Sequence, residues 1–394
     1  MTQASKTAES VIVDLDQLVR DLDQDVAARE RDRVLPHHAV AVLRQSGVLL
    51  LRVPAEHGGA GGTIRQQMEA VIAIASVDSN VAQGVRPHFF FIEDLLVNGF
   101  GQSPARWWPK LGAGAVVGNA LSEATTSRVG NVNTTLKRRE DGTWRLSGRK
   151  SYSTGSLFAD LLYVSGEDEA GVRRTALVPA DRAGLSLSDD WDGMGQRTTA
   201  TGTTTFEDVV VLDDEILELR TLEEGFNHVG GQRQLFLAAV MAGIAANASR
   251  DLNRYIKTKA RPAAHGLTDI AAEDPYVLRT AGEVSSAAFA ARAIVLAAAE
   301  SLDRAAAQPG NEDLALPAAI DVARAQSAVA DLVLPAVTRI FDAGGASAVR
   351  DDINLHRHWR NARTVAAHNP LDYKRRVVGN WEINGVEPPR TSYF

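Results

Sequence analysis

The 394-residue chain contains no cysteine, which removes disulfides, thiolate nucleophiles and thiolate metal sites together and fits a reducing cytoplasm. Positive charge is not in excess: 42 Lys+Arg against 49 Asp+Glu leave a formal net charge of -7. A general attraction to phosphate backbones or anionic lipid is therefore not expected. No uninterrupted apolar run approaches the roughly 18 residues of a membrane span, and the stretch from Met1 to Asp16 is polar and acidic rather than basic then apolar. Neither membrane insertion nor an export signal is expected. No G-x-G-x-x-G follows a strand-like run and no G-x-x-x-x-G-K-[ST] is present, so the chain has no nicotinamide or nucleoside triphosphate fingerprint of its own. Internal repeats and low-complexity tracts are also missing. What remains is 45% apolar and 23% charged, enough to bury a full core and to exclude disorder and collagen-like order.

Three zones follow one another. From about Ser10 to Gly112 short amphipathic stretches, broken by Pro36, Pro54, Pro87 and Pro104, predict packed helices. From about Val116 to Ile216 Thr, Ser, Val and Gly dominate, and runs such as Thr143–Gly148, Leu161–Ser165 and Thr203–Val211 favour strands. Glu140-Asp-Gly-Thr and Glu169-Ala-Gly-Val read as hairpin turns. From about Gln232 Ala-rich helices return. One seam runs Val277, Ala281, Val284, Ala288, Ala291, Val295, Ala298 and Leu302, behind an Asp274-Pro275 start. A second runs Leu316, Ile320, Ala323, Ser327, Ala330, Leu334, Val337 and Phe341, with a kink expected at Pro335 and an end at Gly344-Gly345. The expected fold class is α+β, mainly α: a helical domain over 1–115, a β domain (barrel or sandwich) over 116–220, and a helical bundle over 221–394.

Five ordered segments carry a resemblance over nearly the whole chain: Val53-Pro-Ala-Glu-His-Gly-Gly-Ala-Gly-Gly, Ala120-Leu-Ser-Glu-Ala, Lys150-Ser-Tyr-Ser-Thr-Gly, Gly193-Met-Gly-Gln-Arg leading to Phe206-Glu-Asp-Val, and Arg360-Asn-Ala-Arg. Together they resemble the acyl-CoA dehydrogenase superfamily, which implies a C-terminal four-helix bundle and a flavin wrapped by the two middle strands. By that resemblance Asn119, Ser122, Tyr152, Ser153 and Thr154 are flavin contacts. By the same resemblance Arg261 falls where a flavin-phosphate arginine is placed and the Gly344-Gly345 turn approaches a neighbouring subunit's flavin in a homotetramer; Arg363 lies in a basic C-terminal end that reads either as a subunit interface or solvated face or as capture of the flavin phosphate.

The departures from that pattern are chemical. An acyl-CoA dehydrogenase needs a carboxylate base, yet no Asp or Glu lies between Asp352 and Asp372, where Asn369 stands at the expected position, nor between Glu224 and Asp251. An amide cannot act as a base. Instead Asn354-Leu-His-Arg-His-Trp-Arg-Asn-Ala-Arg, His368-Asn-Pro and the ending Gly379-Asn-x-x-x-Asn-Gly-x-x-Pro-Pro resemble the flavin-dependent monooxygenase branch of the superfamily. That branch has His-Asp-Pro where this chain has His368-Asn369-Pro370, and serine at Thr154. The resemblance implies the oxygenase component of a two-component system. FMN arrives as FMNH2 by diffusion from a separate NAD(P)H:FMN reductase, O2 is the co-substrate, and a flavin hydroperoxide passes one oxygen to a small heteroatom substrate, organosulfur first.

His88, Asn119, Thr154 and His368 are then the expected catalytic groups, holding and protonating the oxygen adduct. His356 and His358 with His368 make a poor metal site, and no metal is expected. Phe89–Phe91, Trp107 and Trp108 read first as core, and the three phenylalanines could also wall an apolar substrate pocket. Other readings on the same scaffold are an amine N-hydroxylase, an FAD-dependent acyl-CoA dehydrogenase with a displaced base, and a non-catalytic DNA-binding homologue drawing on the basic run Arg357–Arg376. A cytoplasmic location is expected, with neither nucleic acid nor membrane as partner.

Overall fold

A computed structural model describes residues 6–98, 104–124, 126, 131–217, 226–391 and 393–394; Met1–Ser5 and the expected boundary at 220/221 lie outside the described residues. Helices α1 (Ala8–Val13), α2 (Leu15–Leu22), α3 (Val26–Asp32), α4 (His37–Ser46), α5 (Ile64–Ala75), α6 (Ser79–Gly84), α7 (Arg86–Asn98) and α8 (Pro104–Gly112) come first. Pro87, expected to break a helix, is the second residue of α7, where its missing N–H has no intrahelical partner to lose.

The strands are β1 (Val117–Ala120), β2 (Thr135–Arg138), β3 (Trp144–Lys150), β4 (Leu161–Glu167), β5 (Arg173–Pro179), β6 (Leu185–Ser188), β7 (Thr203–Val211) and β8 (Ile216–Leu217). They form one sheet in the order β6-β7-β3-β2-β4-β5-β8, with β1 pairing β4 in parallel. The two glycine turns are where the composition put them, Gly142 at φ +83 and Gly171 at φ +74. One sheet face buries Leu136, Leu146, Val164, Phe206 and Val209. The other presses Leu161, Tyr163 and Leu177 onto Phe90, Phe91, Trp107 and Trp108 of α7 and α8, so the aromatic clusters are core.

The chain then returns to helices α9 (His228–Thr258), α10 (Pro275–Ala306), α11 (Glu312–Gly344), α12 (His356–Ala366) and α13 (Leu371–Asn384). Asp274 caps α10 by accepting from the Tyr276 and Val277 amides, with Pro275 in the first turn. Most of both seams is buried. The helix assignment of α11 runs on through Pro335 to Gly344, and α13 lies along α11. α9 and α10 each contain an apolar stretch long enough to cross a bilayer by length and hydropathy, although neither is an uninterrupted apolar run. The α9 stretch is 83% buried within the protein, whereas only 33% of the α10 stretch is. Tyr276, Leu278 and Phe289 of α10 are exposed.

Two of the sequence motifs meet here. A Cβ on Gly195 would fall 2.2 Å from the Arg360 carbonyl oxygen, so only glycine permits that approach. Asn361 Oδ1 accepts from the Gln196 amide at 2.6 Å, and Arg360 Nη1 donates to the Met194 carbonyl at 2.7 Å. The Gly-Met-Gly turn of the β domain is thereby docked on α12, the helix that leads to His368.

Candidate functional site

The site is built first from the chain leaving β1 and the chain leaving β3. Ser151 donates its amide to the Ser122 carbonyl at 2.9 Å, and the Asn119 amide donates to the Thr154 carbonyl at 3.2 Å. Beneath them the Lys150 ammonium, 0% exposed along its side chain, meets Glu123 Oε1 at 2.7 Å. Burial opposes ionisation of Glu123, but Lys150 and the amides of Asn133 and Thr134 outweigh it and hold the carboxyl at about 2. Gly118 fits because a Cβ there would stand 2.9 Å from the Gly155 carbonyl oxygen.

On this cradle Asn119 Oδ1 and Ser153 Oγ are buried with no hydrogen-bond partner among the described residues. Such atoms are costly unless a ligand completes them. The Thr154 hydroxyl accepts from Thr201 Oγ1 at 3.1 Å, in a chain continued by Thr199. Tyr152 is held at φ +58 and remains exposed, its ring edge-to-face with Trp191 at 5.9 Å. An unpaired acceptor, an unpaired hydroxyl and the exposed Tyr152 ring, gathered where the chains leave β1 and β3, are of the chemistry that fits the polar rim and flat face of a flavin ring.

The α7 side brings the histidines. His88 is wholly buried, and both ring nitrogens are taken by backbone: Nε2 lies 3.0 Å from the Leu49 carbonyl, and Nδ1 accepts from the Val117 amide at 3.3 Å. Expected as a catalytic group, His88 is here a brace that fixes β1 two residues before Asn119. His368 is different. It is an exposed residue just beyond the end of α12, and its Nε2 lies 3.5 Å from Arg86 Nη1. Desolvation, then the Arg86 charge, lower its pKa to about 3, so at neutral pH it is a neutral imidazole rather than a proton store. Asn369 is buried, donates its amide to Gln234 Oε1 inside the bundle, and also hydrogen-bonds the His368 ring, which opposes the lowering.

Sequence reasoning missed Arg86 and the acids near it. Arg86 bonds the Arg233 carbonyl, and both guanidinium groups lie over the Phe90 ring, at 5.8 and 4.8 Å. Glu93 and Asp94 on α7 are buried carboxylates. Glu93 is held by Arg52 at 2.6 Å and by His228 at 3.3 Å, and Asp94 by Arg233 and the Tyr163 hydroxyl.

Other expected residues do not join the cluster within one chain. Arg261 follows the end of α9, about 40 Å along that helix from Arg233 at about 1.5 Å per residue. Gly344 packs at that same far end against Tyr255, a closest approach of 3.6 Å for its would-be Cβ. Gly345, at φ +63, ends α11 beside it, and Arg363 is an exposed residue of α12. The basic run is largely neutralised from within: Arg357 pairs with Asp251, Arg360 with Glu30, and Arg375 with Asp331 and Asp372. His356 and His358 go to different acids, Asp351 and Asp251.

Burial lowers His88 to about 4, and burial together with the Arg357 charge lowers His358 to about 4. An unfolded chain takes up those protons near pH 6.5 while the native state refuses them. Stability is therefore unaffected above about 6.5 and is lost as pH falls toward 4, at about 1.4 kcal/mol per unit for each histidine. Glu93 and Glu123, both lowered to about 2, lose their stabilising contribution only below about 4.5. Urea midpoints are expected to drop between pH 7.5 and 5; equal midpoints would contradict the buried neutral histidines.

Comparison with known proteins shows the family. The acyl-CoA dehydrogenase N-terminal, middle and C-terminal domain models match residues 15–115, 119–209 and 235–373. The probable FMNH2-dependent monooxygenase SfnC of Pseudomonas putida is 33% identical over 365 residues, covering 89% of each chain. The FMN-bound structure of TdsC, a dibenzothiophene monooxygenase from Paenibacillus sp. A11-2, superposes with a TM-score of 0.89 at 30% identity, covering 98% of this chain and 100% of TdsC. The methanesulfinate monooxygenase MsuC of Pseudomonas fluorescens gives 0.88 at 29% identity, covering 99% and 100%. The chain belongs to the acyl-CoA dehydrogenase superfamily, in its flavin-dependent monooxygenase branch.

Proposed function

We propose that this chain is the oxygenase component of a two-component monooxygenase. It receives FMNH2 from a separate NAD(P)H:FMN reductase and delivers one atom of O2 to sulfur in a small organosulfur compound. The observation that carries the reading is the state of the acids. The two stretches that would supply a carbon-acid base contain none, and the buried carboxylates of α7, Glu93 and Asp94, are each engaged by an arginine. Sulfur rather than nitrogen is favoured by the activities named for this chain's neighbours in structure, TdsC and MsuC.

When bound, reduced FMN supplies the electrons that activate O2. The protein's part is binding and orientation. Asn119 and Ser153 offer the buried acceptor and hydroxyl that lack partners, Thr154 offers a hydroxyl already aligned by Thr201, and Ser122 and Tyr152 rim the ring. His368 donates a hydrogen bond and becomes a proton carrier only when negative charge enters beside it. His88 holds β1 in register. A homotetramer is supported by the exposed apolar residues of α10 and by the remoteness of Arg261 and Gly344-Gly345, which would reach a flavin on another copy.

The test separates this from dehydrogenation. Protein loaded with FMN, or with FAD, and mixed anaerobically with butyryl-CoA or octanoyl-CoA is expected to keep its oxidised-flavin absorbance unchanged. Bleaching would establish a working base and overturn the reading.

A further inference from the structure

Arg86 is a cation without a counter-ion. It is 9% exposed and makes no ion pair among the described residues, although its neighbours do: Arg233 has Asp94, and Arg52 has Glu93. Of its five N–H donors, Nε and Nη2 each give one to the Arg233 carbonyl, at 3.3 and 3.0 Å. The Nη1 end is left facing the accessible ring of His368 at 3.5 Å. The Phe90 face beneath both guanidinium groups offsets part of the desolvation but supplies no negative charge. Lys374, also buried, lies over the Phe394 ring at 3.8 Å and donates to the Tyr393 carbonyl, and burial lowers its pKa to about 7. An uncompensated buried charge is costly, and the one on Arg86 is positive in a chain whose net charge is -7.

We propose that Arg86 and His368 form an oxyanion subsite that selects substrates carrying a negative head group, the sulfinate class, over neutral thioethers. The assignment rests on the monooxygenase reading above and gives it a substrate class. A guanidinium edge matches a two-oxygen anion bidentately, and a sulfinate keeps a lone pair on sulfur once both oxygens are held. The reaction balances as R–SO2⁻ + O2 + FMNH2 → R–SO3⁻ + FMN + H2O. The sulfur lone pair forms the new S–O bond, the O–O bond breaks, and the second oxygen leaves as water with the two protons of FMNH2. Sulfur and FMNH2 each give two electrons, and O2 takes four. The bound anion also cancels the Arg86 charge that His368 faces, which restores the imidazole's affinity for a proton at the place where oxygen is transferred.

The test uses the full chain loaded with oxidised FMN for binding, and FMNH2 under air for turnover. Titration calorimetry with benzenesulfinate, benzoate and the neutral methyl phenyl sulfoxide is expected to give binding of both anions, in competition, and at least about 100-fold weaker binding of the sulfoxide. Arg86→Met is expected to weaken benzenesulfinate by about 100-fold or more, and Arg86→Lys by less, with FMN affinity within about 2-fold of wild type in both. In turnover, benzenesulfinate is expected to yield benzenesulfonate, with thioanisole at least about 100-fold lower in kcat/KM. Equal binding of sulfoxide and sulfinate by the wild type would overturn the subsite whatever the variants do. So would oxidation of thioanisole as efficient as that of benzenesulfinate, while leaving the monooxygenase reading intact. A fall in FMN affinity matching the fall in sulfinate affinity would assign Arg86 to the flavin phosphate and likewise overturn it. Arg86-dependent sulfinate binding with no oxygenated product from any probe would uphold the subsite and count against the monooxygenase.

Discussion

Replacing Glu123 by glutamine is expected to destabilise the protein by about 3–5 kcal/mol, the range for stranding one partner of a buried ion pair, and to weaken FMN binding together with it. The reason lies under the cradle. Lys150 loses its counter-charge, since glutamine leaves it at best a neutral amide oxygen in place of the carboxylate oxygen 2.7 Å away. That single oxygen can still accept from Thr134, but the NH2 group then faces the Asn133 amide, donor against donor, where Glu123 Oε2 accepted. Because the pair joins the end of β3 to the exit of β1, it sets Ser122 opposite Ser151 and hence the place of Tyr152, Ser153 and Thr154. Denaturant unfolding and FMN titration check both halves. A Glu123→Gln protein within 1 kcal/mol of wild type would show that Lys150 finds another partner. The double change Glu123→Leu with Lys150→Met is expected to recover a large part of the loss, since hydrophobic replacement removes both charges together.

Replacing His368 by alanine is expected to lower oxygenated product by about 100-fold or more, the usual range for a lost proton-transfer or hydrogen-bonding group, with FMN affinity held. The cradle atoms on β1 and β3 do not include His368, so the flavin's binding surface is untouched. Reduced flavin is then expected to react with O2 without coupling, releasing hydrogen peroxide in place of product. His368→Gln discriminates between roles: a neutral donor that restores product points to hydrogen bonding, whereas no recovery points to a proton carried by the ring. Unchanged product formation in His368→Ala would remove this residue from the mechanism.

The helix–strand–helix order was legible because each zone is periodic over many residues, and the Asp274-Pro275 start and the glycine turns lie in local chemistry alone. The seams on α10 and α11 were legible for the same reason. The expected kink at Pro335 left the helix assignment unbroken. The purpose of the Gly193-Met-Gly-Gln-Arg motif was not legible, since its reason is a contact between Gln196 and Asn361 across 165 positions. His88 was read as a catalytic group because a histidine near a flavin strand invites that role; the carbonyl of Leu49 and the amide of Val117, which occupy its nitrogens, come from two other segments. Arg86 was passed over because an arginine is ordinary until packing denies it an acid. The work of Asn369 inside the bundle with Gln234 was not legible either, since it belongs to tertiary structure.

Oxygen isotope labelling tests the central claim most directly. With FMNH2 generated by a separate reductase and benzenesulfinate as probe, turnover under ¹⁸O2 in ordinary water is expected to place one ¹⁸O atom in each benzenesulfonate formed, and none when the protein is omitted. Product whose added oxygen comes from water, or product that forms equally without the protein, would contradict the account.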